Sequence, residues 1–183
     1  MNVVWFKRDL RLADHAPLAA AIENDQPLLL LYIVEPDLLA DPHYRGRHWH
    51  LIAQSLEAMN AQLAPFGGHV EVLEGNAVDI LKTLHAEARI TGLFSYEETG
   101  LSVTFERDRS VAHFCEQAGI VWTEFQTNGV QRGRRDRRGW NKAWQAVMSD
   151  SQITAAPAHI AQRLTSLPPA LDGARCARLA RWR

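Results

Sequence analysis

Short apolar runs of strand length recur along the chain, at Val3 to Phe6, Leu28 to Val34, Val70 to Leu73, Leu93 to Tyr96 and Val121 to Phe125. Each but the last leads into a stretch with a helical pattern. Ile52, Leu56, Met59 and Leu63 mark the second predicted helix, and Ile80, Leu81, Leu84 and Ala88 the third. The fourth, Ser102 to Ala118, offers Phe105, Val111, Cys115 and Ala118 for burial. Strands alternating with helices predict a mainly parallel sheet, because parallel neighbours need long crossovers, and the crossover helices cover both faces. The expected fold class is α/β, a five-stranded parallel sheet of Rossmann-like type.

Cap residues set the boundaries. Asp14 precedes His15, Ala16 and Pro17, which predicts Asp14 as an N-cap with proline in the first turn, where its missing N–H does no harm. Gly119 follows the fourth helix as a left-handed stop would. The α/β body ends near Gln126; an arginine-rich loop, Asn128 to Gly139, then leads into a helix, Trp140 to Met148. From Ser151 onward the chain is rich in Ala and Pro and reads as a linker or incomplete segment. The expected division is residues 1–148 as the α/β domain and 149–183 as a linker or the start of a further domain.

Length and composition fit one folded domain: 183 residues, 46% hydrophobic and 22% charged. Charge changes the picture more. Met1 to Val130 carries 9 Lys+Arg against 18 Asp+Glu, and Gln131 to Arg183 carries 11 against 3, so an acidic body precedes a basic end. Such a division suits a polyanionic partner or an intramolecular partner of opposite sign. The longest apolar run, Pro27 to Val34, is far short of the ~20 residues that span a bilayer, and no signal-like segment opens the chain. A cytoplasmic location without membrane contact is expected. Cys115 and Cys176 form neither a disulfide framework nor a C-x-x-C pair.

In an open parallel sheet, ligands bind in the crevice outside the carboxyl ends of the strands. Lys7, Arg8 and Asp9 leave the first strand, Glu35 the second, and Glu97 and Glu98 the fourth. Arg offers paired donors to a carboxylate, phosphate or carbonyl, and an adjacent Asp keeps it oriented. The plainer alternative is an ion-pair network among Arg8, Asp9, Arg11 and Asp14 that stiffens the turn. Glu97 and Glu98 make a poor acid/base pair, since adjacent residues usually point apart. His48 and His50 sit two positions apart, about 200° around a helix, and no Cys/Asp/Glu pattern completes a metal site with them. The chain carries no G-x-x-x-x-G-K-[ST], no G-x-G-x-x-G after the first strand and no G-x-S-x-G, which counts against ordinary nucleotide-hydrolysing, dinucleotide-binding and serine-hydrolase functions.

Five motifs carry a family resemblance: W-F-K-R-D-L-R-L-A-D-H from Trp5 to His15, Y-I-V-E-P from Tyr32 to Pro36, R-G-R-H-W-H-L from Arg45 to Leu51, E-R-D-R-S-V from Glu106 to Val111, and G-W-N-K-A-W from Gly139 to Trp144. In order and spacing, over about Asn2 to Met148, they resemble the N-terminal α/β domain of DNA photolyases and cryptochromes. The resemblance implies a domain that holds a light-harvesting antenna chromophore, a deazaflavin, FMN or methenyltetrahydrofolate. It also implies a helical partner domain that binds FAD, carries the tryptophan electron path and admits a flipped-out pyrimidine dimer from DNA. By motif, the antenna-lining positions resemble Arg8, Arg47 and Glu98, joined at the rim by Asp9, Glu35 and Glu97; a folate antenna lies nearer the domain boundary. Tyr96 to Gly100 departs from the commonest family patterns in that loop.

Residues 149–183 are too few to build an FAD cavity or a flipped-base pocket, so no flavin-driven repair by this chain alone is expected. Most of its tryptophans read as core or domain-packing residues. Arg132, Arg134, Arg135, Arg137 and Arg138 suit phosphates, or an acidic surface on the helical domain, or open solvent. Two rival readings remain beside the antenna domain: a stand-alone nucleotide- or flavin-binding module, and a scaffold that binds nucleic acid or a partner through the arginine loop.

Overall fold

A computed structural model of the chain describes all residues except 24, 128, 154 and 183. Asn128, where the predicted arginine loop begins, lies outside the described residues. Five strands, β1 (Asn2–Phe6), β2 (Leu28–Val34), β3 (Glu71–Glu74), β4 (Gly92–Tyr96) and β5 (Val121–Phe125), form one parallel sheet in the order β3-β2-β1-β4-β5. The α/β expectation holds.

The two innermost apolar runs explain themselves. Every residue of β1 and β2 is buried, as expected of strands covered on both faces. Side chains alternate between two cores. Val3, Trp5, Leu29, Leu31 and Ile33 meet α4 (Ala77–Ala88) and α5 (Ser102–Ala118) on one face. Val4, Phe6, Leu28, Leu30, Tyr32 and Val34 meet α1 (Ala16–Ile22) and α3 (Gly46–Leu63) on the other. Short α2 (Pro36–Ala40) and α7 (Pro157–Ala161) were not expected, whereas α6 (Trp140–Met148) matches its predicted span.

Several local expectations are corrected. The N-cap of α1 is His15, not Asp14: the ring Nδ1 of His15 accepts the Leu18 N–H at 3.1 Å. Asp14 instead takes the left-handed conformation, φ 50°. Strand β3 starts one residue late because the Val70 N–H goes to the Asn60 side chain at 2.8 Å rather than into the ladder. On α5, Phe105 and Ala118 are only half-buried, while Thr104, Asp108 and Phe114 join Val111 and Cys115 inside.

The Ala/Pro-rich tail, read as a linker, packs on the domain. Ile160, Leu167 and Leu171 are buried. The Leu28 N–H donates to the Arg163 carbonyl at 2.8 Å, and the Cys176 N–H to the Val72 carbonyl at 2.9 Å. Arg175 forms an antiparallel bridge with Leu73, so the tail covers the β3 edge that would otherwise expose unpaired backbone groups.

Candidate functional site

The strand order reverses at β1, with β2 and β3 on one side and β4 and β5 on the other. The crevice between the carboxyl ends of β1 and β4 is the place where such sheets bind ligands. Arg8 leaves β1 and Glu98 leaves β4, and the two side chains form an ion pair across that gap. Arg8 is half-exposed and also donates to the Thr99 hydroxyl at 3.1 Å; Glu98 is buried. Glu98 Oε1 further accepts the Thr99 and Gly100 N–H groups, both at 3.0 Å. A Cβ at Gly100 would come within 2.9 Å of the Arg8 guanidinium and 3.0 Å of Glu98 Oε1, so a larger residue there would make the Arg8 tip shift.

Beneath this pair lies a second cation. Arg107, from α5, reaches Glu35 at 2.6 Å, Asp108 at 2.9 Å and Glu98 Oε2 at 3.4 Å, with its guanidinium 4.8 Å from the Trp5 ring. Burial pushes the Glu35 carboxyl above its usual range, and Arg107 opposes it. Burial works to lower Arg107, but Glu35 and Asp108 outweigh it and hold the guanidinium above its ordinary value. Lys7 is buried between the Trp5 and Trp122 rings, 4.7 and 5.2 Å from their centroids, and pairs with Asp108 at 2.9 Å. Its burial lowers the ammonium pKa against the pull of Asp108.

Asp9 turns away from the crevice. Its Oδ1 accepts the Lys7 and Arg8 N–H groups at 3.2 Å, and its Oδ2 stands 2.5 Å from His15 Nε2. Because Nδ1 accepts from Leu18, the ring proton shared with Asp9 is the one on Nε2. Burial favours a protonated Asp9, but the bond to His15 and the Lys7 N–H outweigh it and leave the carboxyl below its ordinary value. Arg11 donates to the Asp14 carbonyl at 2.8 Å and lies over the Tyr96 ring. The signature turn thus sends its charges to separate partners.

Of the residues expected at the rim, the structure brings Arg8, Glu35 and Glu98 together. Arg47 is exposed on the first turn of α3, outside the residues that line the crevice. Glu97 is half-buried and approaches Arg132 at 4.0 Å. Sequence reasoning missed Arg107, Asp108, Glu124 and Tyr44. The first two lay in the E-R-D-R-S-V motif, and Asp108 also interrupts the apolar stripe Thr104, Val111, Cys115, where a buried charge needs partners. His48 and His50 point to different partners, the Arg45 N–H and the Trp182 carbonyl.

The five arginines divide. Arg132 folds back, donating to the Glu98 carbonyl at 2.7 Å and pairing with Glu124 at 3.3 Å and Asp108 at 3.5 Å. Arg134 is spent within its own loop on Gln131 and the Asp136 and Arg138 carbonyls. Arg135, Arg137 and Arg138 are exposed, with no side-chain bond or ion pair among the described residues.

The sequence matches the family model described as DNA photolyase over residues 2–132. The chain belongs to the DNA photolyase family. It is 34% identical over 126 residues to a deoxyribodipyrimidine photo-lyase of Agrobacterium fabrum, covering 67% of this chain and 25% of that one. It is 30% identical over 120 residues to cryptochrome-2 of Gallus gallus, covering 65% and 20%. Among solved structures, a bacterial class III photolyase from Agrobacterium tumefaciens superposes with a TM-score of 0.72 at 21% identity, over 100% of this chain and 38% of that one. An archaeal photolyase from Sulfolobus tokodaii, solved with two FAD molecules that implicate a novel light-harvesting cofactor, gives 0.69 at 19% identity, over 84% and 37%. The photolyase-family chain therefore spans a quarter or less of these curated relatives. The class III photolyase structure extends the likeness to the tail.

The crevice lined by Phe6, Arg8, Glu35, Tyr44, Glu98 and Arg107 holds only ≈ 10 Å3, about one water, against roughly 300 Å3 or more for small-molecule sites. Its lining sets cations and carboxylates side by side, next to the Phe6 and Tyr44 rings. Half-exposed Arg8 and partly buried Tyr44 stand at its mouth. Among the described residues, no helix is long and apolar enough to cross a membrane.

Proposed function

We propose that this chain is the light-harvesting α/β domain of a photolyase- or cryptochrome-type flavoprotein, acting beside a helical domain that binds FAD. The observation that carries this reading is the convergence of Arg8, Glu35, Glu98 and Arg107 at the switch point of the sheet. Glu98 and Arg8 would hold the polar edge of an antenna chromophore, and Tyr44 would border its ring. The group itself would supply absorption of visible or near-ultraviolet light. Glu35 and Arg107 keep the floor of the crevice fixed and charged, and Trp5 closes it from water. Repair of pyrimidine dimers or signalling belongs in this reading to the whole protein, with DNA and FAD held by the helical domain.

The test is an absorption titration of the purified chain with FMN, a deazaflavin and methenyltetrahydrofolate in turn. One of the three is expected to bind in a 1:1 ratio with a shifted band, and Glu98→Gln to weaken it about tenfold, the cost of a lost charged hydrogen bond of roughly 1.5 kcal/mol. Binding of none, or binding indifferent to Glu98→Gln, contradicts the reading.

A further inference from the structure

Strand β5 ends the sheet, and its outer edge meets no further strand among the described residues. In a parallel pair, the N–H and C=O of one residue point to the same side and alternate with those of the next. The Val121 N–H donates to the Thr91 carbonyl at 3.1 Å and the Phe125 carbonyl accepts from the Glu97 N–H at 2.8 Å, so residues 121, 123 and 125 bond toward β4. Trp122 and Glu124 therefore aim their backbone groups outward, where they bond to nothing among the described residues. The strand, VWTEF, lacks the Pro, Gly or Lys that blunt an edge. Its one charge, Glu124, is drawn aside by Arg132 at 3.3 Å and Lys7 at 3.6 Å. Helix α5 runs beside this edge. Phe105, Arg109, Ala112 and Glu116 fall at i, i+4, i+7 and i+11 and, with Trp122 and Glu124, border a groove of ≈ 630 Å3. Arg109, Ala112 and Glu116 are exposed, and neither charge has an ion pair among the described residues.

We infer that β5 is the edge through which two copies of this chain associate, antiparallel about a two-fold axis at Thr123, joining their five-stranded sheets into one. The outward residues fix the register. Centring the pair on Glu124 would set two carboxylates face to face, and centring it on Trp122 would oppose Glu124 to Ile120, outside the strand. Centring it on Thr123 bonds Trp122 to Glu124 of the second copy, and Glu124 to its Trp122. Val121 then meets Phe125, and Thr123 meets itself, the β-branched and aromatic neighbours that stabilise antiparallel pairs. The same axis sets α5 antiparallel to its counterpart across the merged grooves. Arg109 and Glu116 stand at nearly equal distances on either side of Ala112, so each arginine faces the other copy's glutamate, and the small Ala112 leaves room at the axis. The heights agree: from the turn at Gly119 and Ile120, the midpoint of Arg109 and Glu116 lies ~8 Å up the helix and Thr123 ~7 Å up the strand. An extended peptide from another protein would use the edge and leave Arg109 and Glu116 unmatched. The two Arg8–Glu98 crevices open at opposite ends of the joined sheet, so this inference is independent of the light-harvesting reading.

The test is sedimentation velocity of the 183-residue chain at rising concentration. A reversible equilibrium between monomer and dimer is expected, with nothing larger, because a two-fold edge pairing closes on itself. Thr123→Lys, which opposes two ammonium groups at the axis, should leave only monomer. Arg109→Glu and Glu116→Arg should each weaken the dimer about tenfold, since each change acts twice, and the two together should restore it. In a Cys176→Ser background, Thr123→Cys should form an intermolecular disulfide under copper–phenanthroline oxidation, its Cα atoms ~4.5 Å apart, whereas Val121→Cys, roughly 14 Å from its counterpart, should not. Far-UV circular dichroism checks that each variant is folded. The inference is overturned if the chain stays monomeric at every concentration, if it forms assemblies larger than a dimer, or if Thr123→Lys associates as wild type does. It is equally overturned if the double charge exchange fails to recover what the single changes lose, or if Val121→Cys crosslinks and Thr123→Cys does not.

Discussion

At the scale of single residues, the turn after β1 shows how one short motif divides its work. Arg8 faces outward to Glu98 and borders the crevice, while Asp9 faces inward to His15 and fixes the start of α1. The Asp9 carboxyl is held below its ordinary value of 3.8. A carboxyl depressed in the folded state contributes stability that is complete above the unfolded value and is lost as pH falls through the folded one. Asp9→Asn should therefore be less stable than wild type at neutral pH, and the gap should shrink as pH drops below 3.8. Urea unfolding of both proteins between pH 3 and 7 checks this; a gap that widens in acid contradicts it. Asp9 was legible as important but its direction was not, since its partner is a histidine that sequence reading left out of the turn. The Glu98 partner Arg107 was hidden for a related reason: a charge on a helix reads as solvated until the fold shows that its face is inside.

At the scale of elements, the pattern of apolar runs was nearly sufficient. Five strands in the right places and the long helices follow from periodicity, because a buried parallel strand must be apolar throughout and a crossover helix must be apolar on one side. Boundaries shifted where a side chain captured a backbone group, as Asn60 does at Val70 and His15 at Leu18. Gly119 did what was expected of it, ending α5 at φ 67°. Nothing lies within 4 Å of the place its Cβ would occupy, so the cost of Gly119→Ala is that of a left-handed backbone alone, about 1 kcal/mol. Thermal unfolding should show that modest loss, and a variant as stable as wild type would place the end of α5 elsewhere. The short helices α2 and α7, five residues each, lacked the length to reveal a period.

At the scale of the molecule, the division into an acidic body and a basic end resolves into two parts. Arg163, Arg175 and Arg178 bind the tail to Asp25, Glu71 and Glu74, and Arg132 reaches back to Glu124 and Asp108 at the crevice. The tail was unreadable as a folded segment because its buried apolar residues, Ile160, Leu167 and Leu171, are few, and Pro168 and Pro169 break the run into a short helix and irregular turns. Prolines suggested a linker; here they let an irregular strap follow β3. The opposite edge, β5, pairs with no further strand among the described residues, and Val121 is 67% exposed.

A crystal structure of the chain with whichever antenna chromophore it takes up would test most directly whether the Arg8–Glu98 crevice is a chromophore site. The ring is expected between β1 and β4, its polar edge within hydrogen-bonding distance of both Glu98 and Arg8, with the ion pair between those two side chains opened. A chromophore seated elsewhere, with Arg8 still closed on Glu98, would contradict it.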